Sequence, residues 1–163
     1  MDSYISSDNQ TRADNQQGRL DPQWIAGFVD GEGCFSISII KNVTTKMGYQ
    51  VFPEFVITQG AKSLSVLEDV KTSFGCGSIY ENRRHDNHKE SLYRYCVRSI
   101  DDILDKIIPF FQTYQLQTAK QYDFNTFCEV VDMLKQKRHL NPDGFNQIRA
   151  LAATMNRQKL RRN

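Results

Sequence analysis

No stretch of the 163 residues approaches the ~18 consecutive apolar residues that a bilayer-crossing helix needs, which excludes a membrane-spanning helix. The first residues, Met1 to Arg19, lack an apolar core, so a secretory leader is not expected there. Cysteine is scarce: Cys34, Cys76, Cys96 and Cys128 are far apart, with no C-x-x-C pair. That excludes a zinc-ribbon or redox motif of that spacing and argues for free thiols in a reducing compartment. Histidine numbers three, and His85 and His88 lie in a polar, turn-like run that reads poorly as a zinc site. Charge of either sign is also nearly absent in net terms, at +2. For a nucleic-acid binder that is an unpromising total.

Present instead is enough hydrophobic sequence for one domain, 39% of residues. Residues 1–19 are rich in Asp, Asn, Gln and Ser and read as a disordered polar tail, leaving residues 20–163 as a single domain. Asp21 followed by Pro22 is a helix start, and the helix must stop around Gly31-Glu32-Gly33. Cys34–Ile40 alternates with period two, as does Tyr49–Thr58. Ser63–Phe74 carries Leu64, Leu67, Val70 and Phe74 at helical spacing, ended by Gly75. Ser78–Asn82 and Leu92–Arg98 read as a second strand pair. From Asp101 onward the periodicity is helical, with a shorter helix expected over Phe145–Met155. Pairs of strands separated by helices predict an α+β fold, an antiparallel sheet with helices on one face.

The end of the first helix breaks local rules. Gly27 and Gly31 each cost about 1 kcal/mol in a helix interior, and Asp30 and Glu32 sit where the macrodipole is already negative. Gly27-x-x-x-Gly31 with Ala26 makes a stripe of small residues on which another backbone could approach closely. Two carboxylates beside free helix-end carbonyls offer hard oxygens to a divalent cation. If the partner is the same helix of a second copy, a two-fold axis brings both Glu32 side chains together, as cutting both strands of a duplex would require. A solvated Asp-Gly-Glu-Gly turn after an ordinary helix is the plainer alternative.

Ile25-Ala26-Gly27-Phe28-Val29-Asp30-Gly31-Glu32-Gly33 resembles the signature of the LAGLIDADG homing endonucleases. Five further segments resemble family elements, in the family's order. They are Cys34-Phe35-Ser36-Ile37, Phe55-Val56-Ile57-Thr58-Gln59, Phe74-Gly75-Cys76-Gly77-Ser78-Ile79, Ile108-Pro109-Phe110-Phe111 and Lys120-Gln121-Tyr122-Asp123-Phe124. The resemblance implies the αββαββα fold with a saddle-shaped antiparallel sheet, and divalent-metal cleavage of long DNA sites. A single signature implies the type that acts as a homodimer on near-palindromic targets, hydrolysing one phosphodiester per strand. It further implies that Glu32 and the Gly31 carbonyl bind Mg²⁺, or Mn²⁺ or Ca²⁺ at the same site. Asp30 becomes a mainly structural acid, Gln59 a residue that orders the hydrolytic water, and Lys120 a peripheral active-site lysine. Some members have adjacent lysines where this chain has Ala119 before Lys120. Trp24, Ala26, Gly27 and Gly31 become candidates for the dimer interface. An organellar setting, mitochondrial before chloroplast, follows from the family alone.

The strand faces opposite the core then gain a use as a DNA-reading surface. They carry Ser36, Ser38, Ile40, Asn42 and Thr44; Gln50, Phe52, Glu54 and Val56; Ser78, Tyr80 and Asn82; and Arg94, Cys96 and Arg98. Such a mixed row suits base edges in a major groove, while Lys41, Lys46, Arg83, Arg84, His85 and Lys89 in the turns would reach phosphates. A half-solvated antiparallel sheet with no ligand also looks like this. Nine residues at about 3.3 Å span roughly nine base pairs, so two subunits would cover about 18–22. The net +2 hides a polarised chain: residues 34–98 hold nine basic and six acidic groups, and residues 135–163 eight basic groups against Asp143. Two rival expectations remain, a splicing maturase acting on intron RNA and a DNA-binding regulator that does not cleave.

Overall fold

The computed structural model describes residues 20–82 and 91–155. The polar tail, Arg83, Arg84, His85, His88, Lys89 and the basic residues after Met155 lie outside the described residues.

Helix α1 spans Pro22–Glu32, its start fixed by the Asp21 carboxylate, which accepts the Trp24 N–H at 3.0 Å. Strand β1 (Gly33–Lys41) follows without a linker and turns back into β2 (Tyr49–Gly60). A short 3₁₀ turn, Ala61–Ser63, leads into α2 (Leu64–Phe74). Gly75, at φ 63°, ends α2 in the left-handed conformation that favours glycine. Strands β3 (Ser78–Asn82) and β4 (Leu92–Val97) complete a four-stranded sheet of order β1-β2-β4-β3, every pair antiparallel.

The C-terminal half departs from the expected pattern in two places. The segment from Ile100 is α3 (Ile100–Asp102), a π-helical stretch (Ile103–Ile107) and α4 (Ile108–Thr113), not one regular helix. After α5 (Lys120–Lys135), α6 runs over Pro142–Ala152, three residues ahead of the expected Phe145 start. The reason is a cap: the Asn141 side chain accepts the Gly144 N–H at 2.8 Å, and Pro142 takes the first helical position.

One face of the sheet is packed against the helices. In register across it lie Phe35, Phe55 and Val97, then Gly33, Ile57, Tyr95 and Ile79. Ile25 and Val29 of α1, Leu67, Val70 and Phe74 of α2, and Phe124, Phe127 and Val131 of α5 close over them. Phe35 sits at the centre, its ring 5.0 Å from Phe55, 5.1 Å from Phe124 and 5.4 Å from Phe111 and Phe127. A smaller cluster of Val130, Met133, Leu134 and Ile148 fastens α6 to α5. The fold thereby clamps α1 and the start of α5 to one end of the sheet and, among the described residues, leaves the sheet's other face open.

Candidate active site and nucleic-acid interface

The turn from α1 into β1 is as tight as a chain allows. The Gly33 N–H closes the helix on the Val29 carbonyl, and a Cβ at Gly33 would lie 2.6 Å from Val29 Cγ1 and 2.9 Å from that carbonyl oxygen. Only glycine permits this approach, and it holds Glu32 at the mouth of the sheet.

The two acids of this turn face different partners. The Asp30 carboxylate accepts the Gln117 N–H at 2.6 Å, the Thr118 N–H at 3.2 Å and the Thr118 hydroxyl at 2.6 Å. It fastens the segment between α4 and α5 to α1. Glu32 is exposed, and its Oε2 accepts an N–H from Gln59 Nε2 at 3.2 Å. Gln59 sits near the end of β2, two residues past Ile57, the last residue paired with β1. From the start of α5, Lys120 Nζ donates to the Val29 carbonyl at 2.8 Å. Burial pushes the Lys120 ammonium below its ordinary pKa, while Cys34, Asp30, Glu32 and Asp123 act the other way. Three elements distant in sequence thus bring Glu32, Gln59 and Lys120 to one edge.

The donor set suits a hard cation in kind but reaches only halfway in number. Glu32 and the Gly31 carbonyl are oxygen donors, whereas the Val29 carbonyl is taken by Gly33 and Lys120. Among the described residues no three His, Cys, Asp or Glu side chains cluster as a metal site.

The outer face of α1 carries an exposed aromatic and two glycines. Trp24 is 46% exposed and stacks on Phe28 at 5.0 Å. A Cβ placed on Gly27 or Gly31 would meet nothing within 4 Å, so neither glycine answers to packing within this chain. Ala26 differs from the other three interface candidates in being buried, though it shares with Gly27 the wall of a groove between α1 and residues 113–117.

On the open face of the sheet, Ser38, Ile40, Gln50, Phe52, Ser78, Tyr80 and Asn82 are exposed and Ser36 is half-buried. Asn42 and Thr44 lie in the β1–β2 turn and are engaged locally. The Asn42 side chain accepts the Thr44 hydroxyl at 2.7 Å and donates to Gln50 Oε1 at 2.9 Å. Two expected readers are corrected. Val56 and Cys96, 6% and 4% exposed, pair side by side beneath other side chains and present little surface. The cover is Arg94. It stands opposite Thr58, yet its Nη2 reaches Glu54 Oε1 at 3.1 Å, two rows along the face, and so must cross the Val56–Cys96 row. Burial pushes the Cys96 thiol up in pKa, with Glu54 adding to the rise and Arg94 and Arg98 opposing it. The Arg98 Nε donates to the other Glu54 oxygen. Glu54 is therefore a bridge between two guanidinium groups, a network that strand alternation alone did not disclose.

A family model described as LAGLIDADG endonuclease matches residues 25–131. "Probable intron-encoded endonuclease 3" of Neurospora crassa is 34% identical over 143 residues, covering 87% of this chain and 26% of that protein. The chain spans about a quarter of the length of the first curated relatives it matches. "DNA endonuclease I-CvuI" of Chlorella vulgaris is 29% identical over 106 residues, 63% of this chain and 62% of that one. Among solved structures, the homing endonuclease I-TnaI superposes with a TM-score of 0.77 at 38% identity, over 85% of this chain and 89% of that chain. The meganuclease I-SmaMI bound to uncleavable DNA gives 0.79 at 37% identity, over 85% of this chain and 46% of that chain. A matched signature, matched strands and a shared fold leave one conclusion: the chain belongs to the LAGLIDADG endonuclease family.

Proposed function

We propose that this chain is a site-specific, divalent-metal-dependent double-strand DNA endonuclease that works as two copies joined along α1. The observation that carries the reading is the meeting of Glu32, Gln59 and Lys120 at one edge of a sheet whose adjoining face is open and mixed in polarity. The solved I-SmaMI structure, which this chain matches over 46% of its length, is bound to DNA and has room for a second unit of this size.

Each residue then has a task. Glu32 of each copy, with the Gly31 carbonyl, would hold Mg²⁺, or Mn²⁺ or Ca²⁺ in its place. Held by these oxygens, such an ion would supply Lewis-acid chemistry toward a phosphate and acidify a water. Gln59 spends one N–H on Glu32 and keeps its carbonyl and second N–H to orient a water in line with the phosphorus. Lys120, held by the Val29 carbonyl, places a cation beside charge developing on the phosphate. The exposed row from Ser38 to Asn82 reads bases, and an intron-borne gene in an organelle is the fitting source for such an enzyme.

Glu32→Gln keeps the shape and the Gln59 contact but removes the charge. Incubated with a plasmid carrying the target locus and Mg²⁺, this variant should yield no linear product above background while still shifting the duplex in a gel. Cleavage at the parental rate would sink the assignment of Glu32. Binding without cleavage by the parental chain would favour the regulator, and intron RNA binding without cleavage the maturase. Gly27→Leu adds bulk where a Cβ meets nothing within 4 Å, so it should shift sedimentation from dimer to monomer while the circular-dichroism spectrum stays that of the folded chain. An unchanged dimer would move the interface elsewhere.

A further inference from the structure

We infer that Arg98 reads a guanine in the major groove, and that Glu54 and Tyr80 are the positioning residues that hold its guanidinium in the reading pose. The inference rests on the DNA-cleaving reading above.

Arg98 lies one residue beyond β4, beside the Phe55–Val97 pair, which brings it level with Glu54. Its guanidinium is held from two directions. The Nε edge donates to Glu54, and the guanidinium carbon stands 5.6 Å above the Tyr80 ring. Among the described residues the terminal Nη pair has no protein hydrogen-bond partner. Guanine presents O6 and N7 side by side in the major groove, and two parallel N–H groups match them. Tying Arg98 at Nε leaves that pair intact.

Arg94 is tied differently. It reaches Glu54 through Nη2, which divides its terminal pair, and it lies across Val56 and Cys96 as their cover. Exposure follows the same order: the side chain of Arg98 is 54% exposed, that of Arg94 38% and that of Glu54 17%. Glu54 is the platform, Arg94 its second neutralising partner and Arg98 the group offered outward. A lone carboxylate on a surface facing phosphates would repel DNA, but flanked by two guanidinium groups the cluster carries +1. A long side chain fixed before binding loses less rotamer freedom when the base arrives.

The test is a selection from duplexes randomised over the site, using the full chain and sequencing the bound fraction. The parental chain should enrich guanine at one position per half-site. Arg98→Lys keeps the charge but cannot form the paired bonds, and should lower that enrichment about tenfold with other positions unchanged. Glu54→Ala should weaken discrimination at the same position while binding to random DNA rises, because a negative charge has left the surface. Tyr80→Phe keeps the ring and should keep the preference; Tyr80→Leu should lose part of it. The inference falls if Arg98→Lys selects the same bases as the parent, or if Glu54→Ala weakens every position alike, as a merely structural residue would. A parental chain that selects no sequence at all overturns the nuclease reading together with it.

Discussion

On the helix-packed side of the sheet, Phe35, Phe55 and Val97 lie next to one another and are fully buried. On the other side of the same strands, Ile40 and Tyr80 leave half their surface in solvent, and Phe52 is exposed as well. The first group has every apolar neighbour it can use. The second is apolar surface kept in water, in a row with Ser38, Gln50 and Asn82 and with a guanidinium–carboxylate network. Side chains that hold a fold together are covered by it, and these are not. Two residues with similar chemistry can therefore have opposite importance, according to the direction a strand's alternation gives them.

The sharpest way to break this contrast is to truncate one aromatic on each face. Phe55 touches the rings of Phe35, Phe74, Tyr95 and Phe111, with centroids between 5.0 and 6.2 Å. Phe55→Ala should lose about 3–5 kcal/mol of unfolding free energy in a urea titration. Phe52→Ala, on the open face of the same strand, should stay within about 0.5 kcal/mol of the parent. Equal losses would show that the open face is structural too.

The same contrast explains what the sequence could and could not disclose. Alternation assigned Phe35, Ile37, Phe55 and Ile57 to one face and Ser36, Ser38 and Phe52 to the other, and the strands carry them so. The capping pair Asp21-Pro22 placed the start of α1 to the residue. Alternation gives a face, however, and says nothing of what lies on top of it. That is why Val56 and Cys96 looked like readers until Arg94 was found across them. The Arg94–Glu54–Arg98 bridge depends on which residues oppose each other between β2 and β4, a register that local pattern does not fix. Lys120 reaches Val29 across 91 positions, and only the family resemblance brought it to the site. The π-helical stretch at Ile103–Ile107 has no signal in the apolar periodicity. Asn141-Pro142, by contrast, was a legible cap, and reading it would have placed the start of α6 correctly.

A smaller effect sharpens the contrast within a single turn, where Asp30 serves the packed side and Glu32 the open one. Asp30→Ala releases the amides of Gln117 and Thr118 and the Thr118 hydroxyl, which in turn accepts the Lys120 N–H at 3.2 Å. A loss of about 2 kcal/mol is expected, with faster amide exchange confined to residues 115–120. Glu32→Gln should leave both quantities at parental values. If the two substitutions destabilise alike, the division of labour between the acids is wrong.

The smallest effect separates the faces by alkaline titration. Cys128, on α5 among the helices, has its thiol pushed by burial from 9.0 up to about 12. The unfolded chain loses this proton first, so between those values the folded state binds more protons than the unfolded one. Stability contributed by the neutral thiol is whole below pH 9 and declines as pH rises toward about 12. Cys128→Ala should flatten that decline in denaturation midpoints taken from pH 8 to 11, by less than the Asp30 effect because the site is only partly shielded from water. On the open face burial and Glu54 raise Cys96 while Arg94 and Arg98 oppose them, so Cys96→Ala should change the slope less. A steeper response from Cys96 than from Cys128 would mean that the open face shields its thiol from water better than the helix layer does.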